Sequence, residues 1–426
     1  MLDGCCISAW LALRFESNMD DKKILKKNFL WNFIGSTLNG FNSLFFMIII
    51  TRMNGVDDAG SFSLLFSLAC LFYIIGGYAG RTYQVADKSG INSDDDYLAQ
   101  RYITCGLMLA AGIIYCLVMK YDAMHALLLI TLTVLKAIEA FSDVFYGLMQ
   151  KKEKLYLAGM SASIKTVLSI AVFLIVDFLT KNIVMGFAAA VIVWLIVLFT
   201  FDQPFSGKAL KPVFNKEGIS HLFRRGFYSF AFLFMGVFLA NATKYAMDGR
   251  TLASEQAKYG IVLMPATLIS LCCLYILQPY INRLANYHAA KQYTEFRKTV
   301  RRIFITIAGL AVLALLVAST IGIPVLAWVY GVNLDGYVLP LQLIAVGASM
   351  NAAITLLSTA LTIMYKTKMQ FYIYLAVSIF AFVLSPLMID HFGVSGAAFS
   401  YLIIMTVQSL AFICYYEYEC RKEQAE

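Results

Sequence analysis

The sequence predicts an all-α polytopic membrane protein, with about 12 transmembrane helices arranged as two six-helix lobes. Three observations point there. Of the 426 residues, 60% are hydrophobic and only 14% are charged, against about 25% charged in ordinary soluble domains; the mean hydropathy is +0.72. Apolar runs recur from Phe29 almost to the C-terminus, each near the roughly 20 residues that a helix needs to cross a bilayer. The runs are continuous, as in Ala123 to Thr133, whereas a membrane β-barrel alternates apolar with polar residues. This composition excludes a soluble enzyme.

Each span is bounded by the charges at its ends. Lys22, Lys23, Lys26 and Lys27 lead into 29–50, which Arg52 closes, and 60–80 returns to Arg81, Lys88 and Arg101. Span 102–119 ends at Lys120, and 124–147 returns to Lys151, Lys152 and Lys154. Span 156–176 reaches Lys181, and 183–201 returns to a connection carrying Lys208, Lys211, Lys216, Arg224 and Arg225. Span 227–247 leads to Arg250 and Lys258, and 259–279 returns to Arg283, Lys291, Arg297, Lys298, Arg301 and Arg302. Spans 303–328 and 337–362 return to Lys366 and Lys368, and 371–389 and 396–416 to Arg421 and Lys422. With Arg14, 26 of the 34 basic residues fall on the side of the N-terminus and five on the other. Because cytoplasmic loops are enriched in Lys and Arg, both termini are expected in the cytoplasm.

The expected organisation is a cytoplasmic segment 1–28, a first lobe 29–201, a linker 202–226, a second lobe 227–416 and a cytoplasmic tail 417–426. Residues 1–18 lack the basic n-region of a signal peptide. The stretch from Met19 to Lys27 is a basic lead-in to the first span, so Met19 is the expected native start and 1–18 are expected to be non-native. A short interfacial helix over 7–15 is the alternative, disfavoured because Arg14 is its only basic residue. The linker, with Pro204 and Pro212, divides six spans from six, and loose echoes connect the halves. Asp58-Ala-Gly-Ser-Phe62 matches Glu255-Gln-Ala-Lys-Tyr259, and Gly186-Phe-Ala-Ala matches Gly396-Ala-Ala-Phe. An even number of helices per half makes such a repeat parallel, with its axis along the membrane normal. A cavity is expected between the lobes.

The chain carries no P-loop, no H-E-x-x-H and no G-x-S-x-G. Of nine cysteines, six fall inside apolar runs; there is no C-x-x-C pair, and the four histidines are scattered, so no metal site and no cofactor is expected. The basic excess follows the topology and does not indicate nucleic acid.

Polar residues within the spans are the informative ones, since an ionisable group at mid-membrane faces a bundle interior or a wet cavity. Lys136, Glu139 and Asp143 share one face of a helix by their i, i+3 and i+7 spacing. Lys165 lies in the next span. Counting along the helices puts Lys136 roughly 18 Å below the outer surface and Lys165 roughly 14 Å above the inner one, similar depths in a core of about 30 Å. A charged cavity wall is the favoured reading; the competing one is an ion pair in which Glu139 neutralises Lys136 or Lys165. Asn28, Asn32, Gly35, Asn39 and Asn42 form a polar stripe on the first span, and Asn351, Thr355, Ser358 and Thr362 form another on the tenth. Cavity lining and helix–helix hydrogen bonding are about equal readings of both. Lys244 and Asp248, spaced i, i+4 near an outer end, are either part of the site or an interfacial pair. Arg52 at the outer interface commonly anchors, and Gly76 with Gly80 forms a helix-packing G-x-x-x-G.

Asn28-Phe-Leu-Trp-Asn32 and Thr51-Arg-Met-Asn-Gly-Val-Asp-Asp-Ala-Gly60 resemble the opening of the Wzx-type lipid-linked oligosaccharide flippases of the polysaccharide transporter family, which serve O-antigen and capsule assembly. Asn241-Ala-Thr-Lys-Tyr-Ala-Met-Asp248, Tyr259-Gly-Ile-Val-Leu-Met-Pro265 and Gln278-Pro-Tyr-Ile-Asn282 resemble that family's second half. The resemblance implies a MATE-like fold of two rocking lobes in a bacterial inner membrane. It also implies an undecaprenyl-diphosphate oligosaccharide as substrate, moved from the cytoplasmic to the periplasmic leaflet. Besides membrane lipids, a polysaccharide polymerase and chain-length machinery would be partners. Its motifs do not fix site residues. On physical grounds Lys136, Lys165, Lys244 and Arg52 are the expected contacts to the diphosphate, and Asn32, Asn39 and Asn351 those to sugar hydroxyls. Glu139, Asp143 and Asp248 are the candidate proton or sodium carriers, since no ATP motif supplies a driving force. A small-molecule exporter of the same fold and a membrane glycan polymerase or ligase remain the alternatives.

Overall fold

The computed structural model describes residues 21–87, 92–207 and 209–425. The segment 1–18 and the expected start at Met19 therefore lie outside the described residues, as do Lys88 and Lys208.

Among the described residues, eleven helical runs are long and apolar enough to cross a membrane. They are α1 (Lys23–Met53), α2 (Val56–Ala86), α3 (Asp94–Met119), α4 (Ala123–Lys151), α5 (Leu155–Thr180), α6 (Ile183–Phe205), α7 (Lys216–Met247), α8 (Ala253–Ala289), α9 (Tyr293–Tyr330), α10 (Val338–Ile363) and α11 (Thr367–Glu423). At 57 residues, α11 would measure about 85 Å if straight, nearly three times the hydrocarbon core. It is two helices, divided at Gly393, whose φ of 56° and ψ of −135° are not helical. Only glycine adopts such a conformation readily. With this division the helices number twelve.

Their ends are set by local chemistry. Ser93 caps α3 in a reciprocal capping box with Asp96, and three consecutive acids in the first turn complement the helix dipole. Asp122 caps α4 by accepting from the His125 amide. Lys181 closes α5 in a left-handed conformation, and the adjacent Asn182 caps α6 through the amides of Val184 and Met185, so two helices turn back through two residues.

Several helices outrun the apolar spans expected of them. α8 ends at Ala289 and α9 begins at Tyr293, so most of the basic stretch between residues 280 and 302 is helical rather than loop. α6 continues through a π turn, Leu198–Asp202, to Phe205, and α7 starts at Lys216. Of the described residues of the expected linker, only nine, 206–207 and 209–215, are therefore non-helical. Hydropathy marks where a helix meets hydrocarbon, while the hydrogen-bonded turns continue into water.

The fold comprises two compact units. One takes the chain up to Asn54 together with Leu65–Phe230; the other takes Gly55–Leu64 together with Ala231 onward. α2 thus gives its first residues to the second unit and the rest to the first. In the first unit Phe46, Phe173 and Phe187 of α1, α5 and α6 meet edge-on or tilted with ring centroids 4.6–5.0 Å apart. In the second, α10 is central: Leu341, Ile344, Ala348, Leu356 and Leu361 are all buried among its neighbours. Large apolar side chains point outward on α3 (Leu107, Ile114, Leu117), α5 (Ile175, Phe178) and α9 (Ile305, Val312, Leu316). Hydrocarbon, not water, is the solvent such faces suit.

Candidate functional site

A cavity of about 160 Å³ lies within the first unit, walled by α1, α2, α4 and α5. Its polar lining is Asn32, Ser36 and Asn39 of α1, Tyr73 and Arg81 of α2, and Glu139, Asp143 and Tyr146 of α4. The three α4 residues lie four and three positions apart, so they stack on one helical face.

The fourth wall depends on two glycines. A Cβ on Gly35 would lie 2.4 Å from the Gly159 carbonyl oxygen, and one on Gly159 would lie 2.2 Å from the Trp31 carbonyl oxygen. α1 and α5 therefore touch backbone to backbone, as small residues permit in membranes. Asn28 fastens the same pair, accepting from the Tyr156 amide at 2.8 Å and donating to the Glu153 carbonyl at 2.6 Å.

Three charged clusters follow one another along α4. Lys136 donates to Glu139 at 2.7 Å, and Asn39 donates to the other Glu139 oxygen at 3.0 Å. Lys136 also lies 5.1 Å from the Phe66 ring centre and 5.7 Å from that of Tyr73. A turn further on, Asp143 lies 3.3 Å from Arg81 and 4.0 Å from Arg101. Arg81 donates to the Gln150 side chain at 3.0 and 3.1 Å. Arg101 and Thr104 take the Gly76 carbonyl, just ahead of the point where Tyr78 and Ala79 turn left-handed and interrupt α2. Gly76 and Gly80 pack on α3 there, against Met108 and Arg101. In the third cluster Lys165 pairs with Asp202, the last residue of the π turn, and both side chains are wholly buried. Lys165 also reaches Ser142 at 2.5 Å. Ser161 donates to Asp202 and meets the Tyr146 hydroxyl at 2.9 Å.

The expected site residues are distributed unevenly over this arrangement. Asn32, Asn39, Glu139 and Asp143 line the cavity, while Lys136 stands behind Glu139. Lys165 does not line it, because its ammonium is held by Asp202 and Ser142. On α4 the Lys136 ammonium meets Glu139 and the Lys165 ammonium meets Ser142, three residues further on. The basic group that does line the cavity is Arg81. Arg52 ends α1 beside Lys181, above an outward-facing apolar groove formed by Leu174 and Phe178. In the second unit Lys244 occupies the last turn of α7, Asp248 follows it and is buried, and the Asn351 carbonyl accepts from Thr355 at 3.0 Å. Ser358 and Thr362 bond Gln370, joining α10 to α11.

Arg81, Arg101, Asp202 and Tyr146 are the site residues that sequence reasoning missed. The first three sat just past the apolar spans and were assigned to loops. For Asp202 the signal is the unbalanced Lys165 in the fifth span, which requires a buried acid nearby; for Arg81 and Arg101 it is Asp143, an acid within a span that requires a cation.

The described residues hold no cluster of His, Cys, Asp and Glu that would bind a metal ion. No protein-family model matches the sequence. Among curated proteins, the capsular polysaccharide biosynthesis protein CapF of Staphylococcus aureus is 24% identical over 169 residues, 39% of this chain and 41% of that protein. The match thus spans less than half of either. Solved structures align over far more. An inward-facing multidrug resistance MATE transporter of the MOP superfamily aligns with a TM-score of 0.70 at 11% identity, covering 92% of this chain and 99% of that one. The lipid II flippase MurJ, in an inward closed conformation, gives 0.68 at 14%, covering 92% and 87%. A MOP superfamily transporter of Pyrococcus furiosus gives 0.63 at 14%, covering 95% and 97%. The chain has a MATE-like fold. At these identities the likeness is one of fold.

Proposed function

We propose that this protein is a flippase that moves a lipid-linked oligosaccharide, carried on undecaprenyl diphosphate, from the cytoplasmic to the periplasmic leaflet for assembly of a surface polysaccharide. The observation that supports this reading is the pocket of the first unit, in which Glu139 and Asp143 are paired with Lys136 and Arg81. A salt bridge in low dielectric persists only while nothing better pairs with its cation. A diphosphate offers several anionic oxygens in place of one carboxylate. Entering beside Asp143, it would draw Arg81, whose planar fork suits phosphate bidentately, and then Lys136 as a compact point charge. The released Asp143 and Glu139 would then become free to take up a proton or sodium ion, coupling the step to an ion gradient. At about 160 Å³ the pocket has the volume of roughly five waters. This size suits a phosphate group or a hydrated ion, so the glycan is assigned to space outside it. Lys165 and Asp202 hold α5 to α6 and are assigned to positioning.

The partial match to a capsule biosynthesis protein and the fold shared with a lipid II flippase support a lipid-linked saccharide as cargo. The fold shared with multidrug transporters supports a small-molecule exporter as the second reading. The deciding experiment reconstitutes the protein with a defined undecaprenyl-diphosphate oligosaccharide, using leaflet accessibility as readout, alongside uptake of a cationic dye. Movement of the glycolipid without the dye supports the flippase. Movement of the dye alone overturns it.

A further inference from the structure

A second cavity lies wholly within the second unit, with a volume of about 730 Å³, well inside the range of ligand pockets. Its position is the end of α9 that the charge bias assigns to the cytoplasm. Arg297, Lys298, Arg301 and Phe304 all line it, and their spacing puts them on one helical face. Facing them are Leu357 of α10 and Tyr416 and Glu417 of α11. Glu417, the one acid in the lining, is ion-paired with Arg297. Lys298 has only the half-exposed Glu295, at 3.6 Å. Arg301 makes no ion pair among the described residues and is exposed. Tyr416, 4% exposed, closes part of the wall.

We propose that this cavity is a binding site for an anionic glycerophospholipid of the cytoplasmic leaflet. The phosphodiester would accept from Arg301 and Lys298, while an acyl chain lies along Phe304 and Leu357. Basic pockets between helices at this level of the membrane suit anionic headgroups, and guanidinium bonds to phosphate are among the strong charge-assisted ones. Every lining residue belongs to one unit, so a lipid held here would stay with that unit, as a resident ligand does and a transported one does not. The proposal requires membrane embedding and does not depend on which substrate is moved.

The test is native mass spectrometry of the detergent-purified full chain titrated with phosphatidylglycerol or phosphatidylcholine. The expected result is one phosphatidylglycerol retained in preference to phosphatidylcholine. Arg301→Gln should weaken retention about tenfold, as loss of one charge-assisted bond implies, and Lys298→Gln should weaken it as well. Arg302→Gln removes the same charge from the neighbouring, non-lining position and should leave retention unchanged. Equal losses in Arg301→Gln and Arg302→Gln would reduce the effect to general surface charge and overturn the site. So would equal retention of both lipids, or full displacement by millimolar inorganic phosphate. Preferential one-to-one displacement of phosphatidylglycerol by undecaprenyl diphosphate would assign the pocket to the substrate and overturn the choice of occupant. A variant that elutes as aggregate is replaced by Arg301→Lys, expected to retain more lipid than any variant lacking the charge; retention equal to wild type in a folded Arg301→Ala overturns the site.

Discussion

Asp202→Leu should destabilise the protein more than any substitution in the pocket itself. Lys165 and Asp202 have fully buried side chains. Removing the acid leaves an ammonium with Ser142 and Tyr146 as neutral hydrogen-bond partners and ring faces of Tyr146 and Trp194 at 5.4 and 5.2 Å. Breaking a buried pair from one side is worth about 3–5 kcal/mol, which shifts a folding equilibrium by roughly 10²- to 10⁴-fold. The Asp143 pair gives a smaller expectation, because Arg81 is 29% and Asp143 19% exposed and water screens part of the loss. Removing both charges at the buried site should undo most of the damage, since a neutral pair leaves no isolated ion. Lys165→Met with Asp202→Asn is the suitable double variant, its amide still accepting from Ser161. The assay is membrane abundance together with the melting temperature of purified protein by fluorescence-detected gel filtration. If Asp202→Leu melts within a degree of wild type, or if the double variant is no better than the single, the positioning role assigned to this pair is wrong.

Gly159→Ala should destabilise by about 1–3 kcal/mol through overpacking, because its new methyl would meet the Trp31 carbonyl at 2.2 Å; the melting temperature reads this, and an unchanged value would contradict the close approach of α1 and α5. Glu139→Gln keeps an acceptor for Asn39 and removes the charge, so transport should lose its response to an imposed ion gradient while the glycolipid still binds. A retained gradient response would remove Glu139 from the coupling role. Alkaline phosphatase fused after Lys216 or after Tyr416 should be inactive, both positions being expected in the cytoplasm; activity at either would invert or break the topology.

How far the fold was legible follows from what hydropathy measures. The twelve apolar spans could be read, including the division of α11, because residues 390–395 interrupt its apolar run. The face shared by Lys136, Glu139 and Asp143 was legible because i, i+3 and i+7 spacing acts within one helix. Partners supplied by other helices were not. Arg81, Arg101 and Asp202 sit where apolarity falls off but helical hydrogen bonding continues, so a hydropathy boundary placed them in loops. The π turn at Leu198–Asp202 carries that helix past its apolar limit and sets Asp202 against Lys165. Counting along the spans brought the two lysines near one another, but it could not show that each is held by a different acid, Glu139 for Lys136 and Asp202 for Lys165.

The measurement that tests the central claim most directly is the flipping rate of undecaprenyl-diphosphate oligosaccharide in proteoliposomes carrying wild type, Arg81→Gln or Lys136→Gln at matched protein abundance. The account predicts that both variants insert and fold yet lose at least about 1.5 kcal/mol of stabilisation for the diphosphate, a tenfold or greater fall in rate, with Arg81→Lys keeping part of it. Wild-type rates in both variants at equal abundance would contradict a phosphate-binding pocket in the first unit.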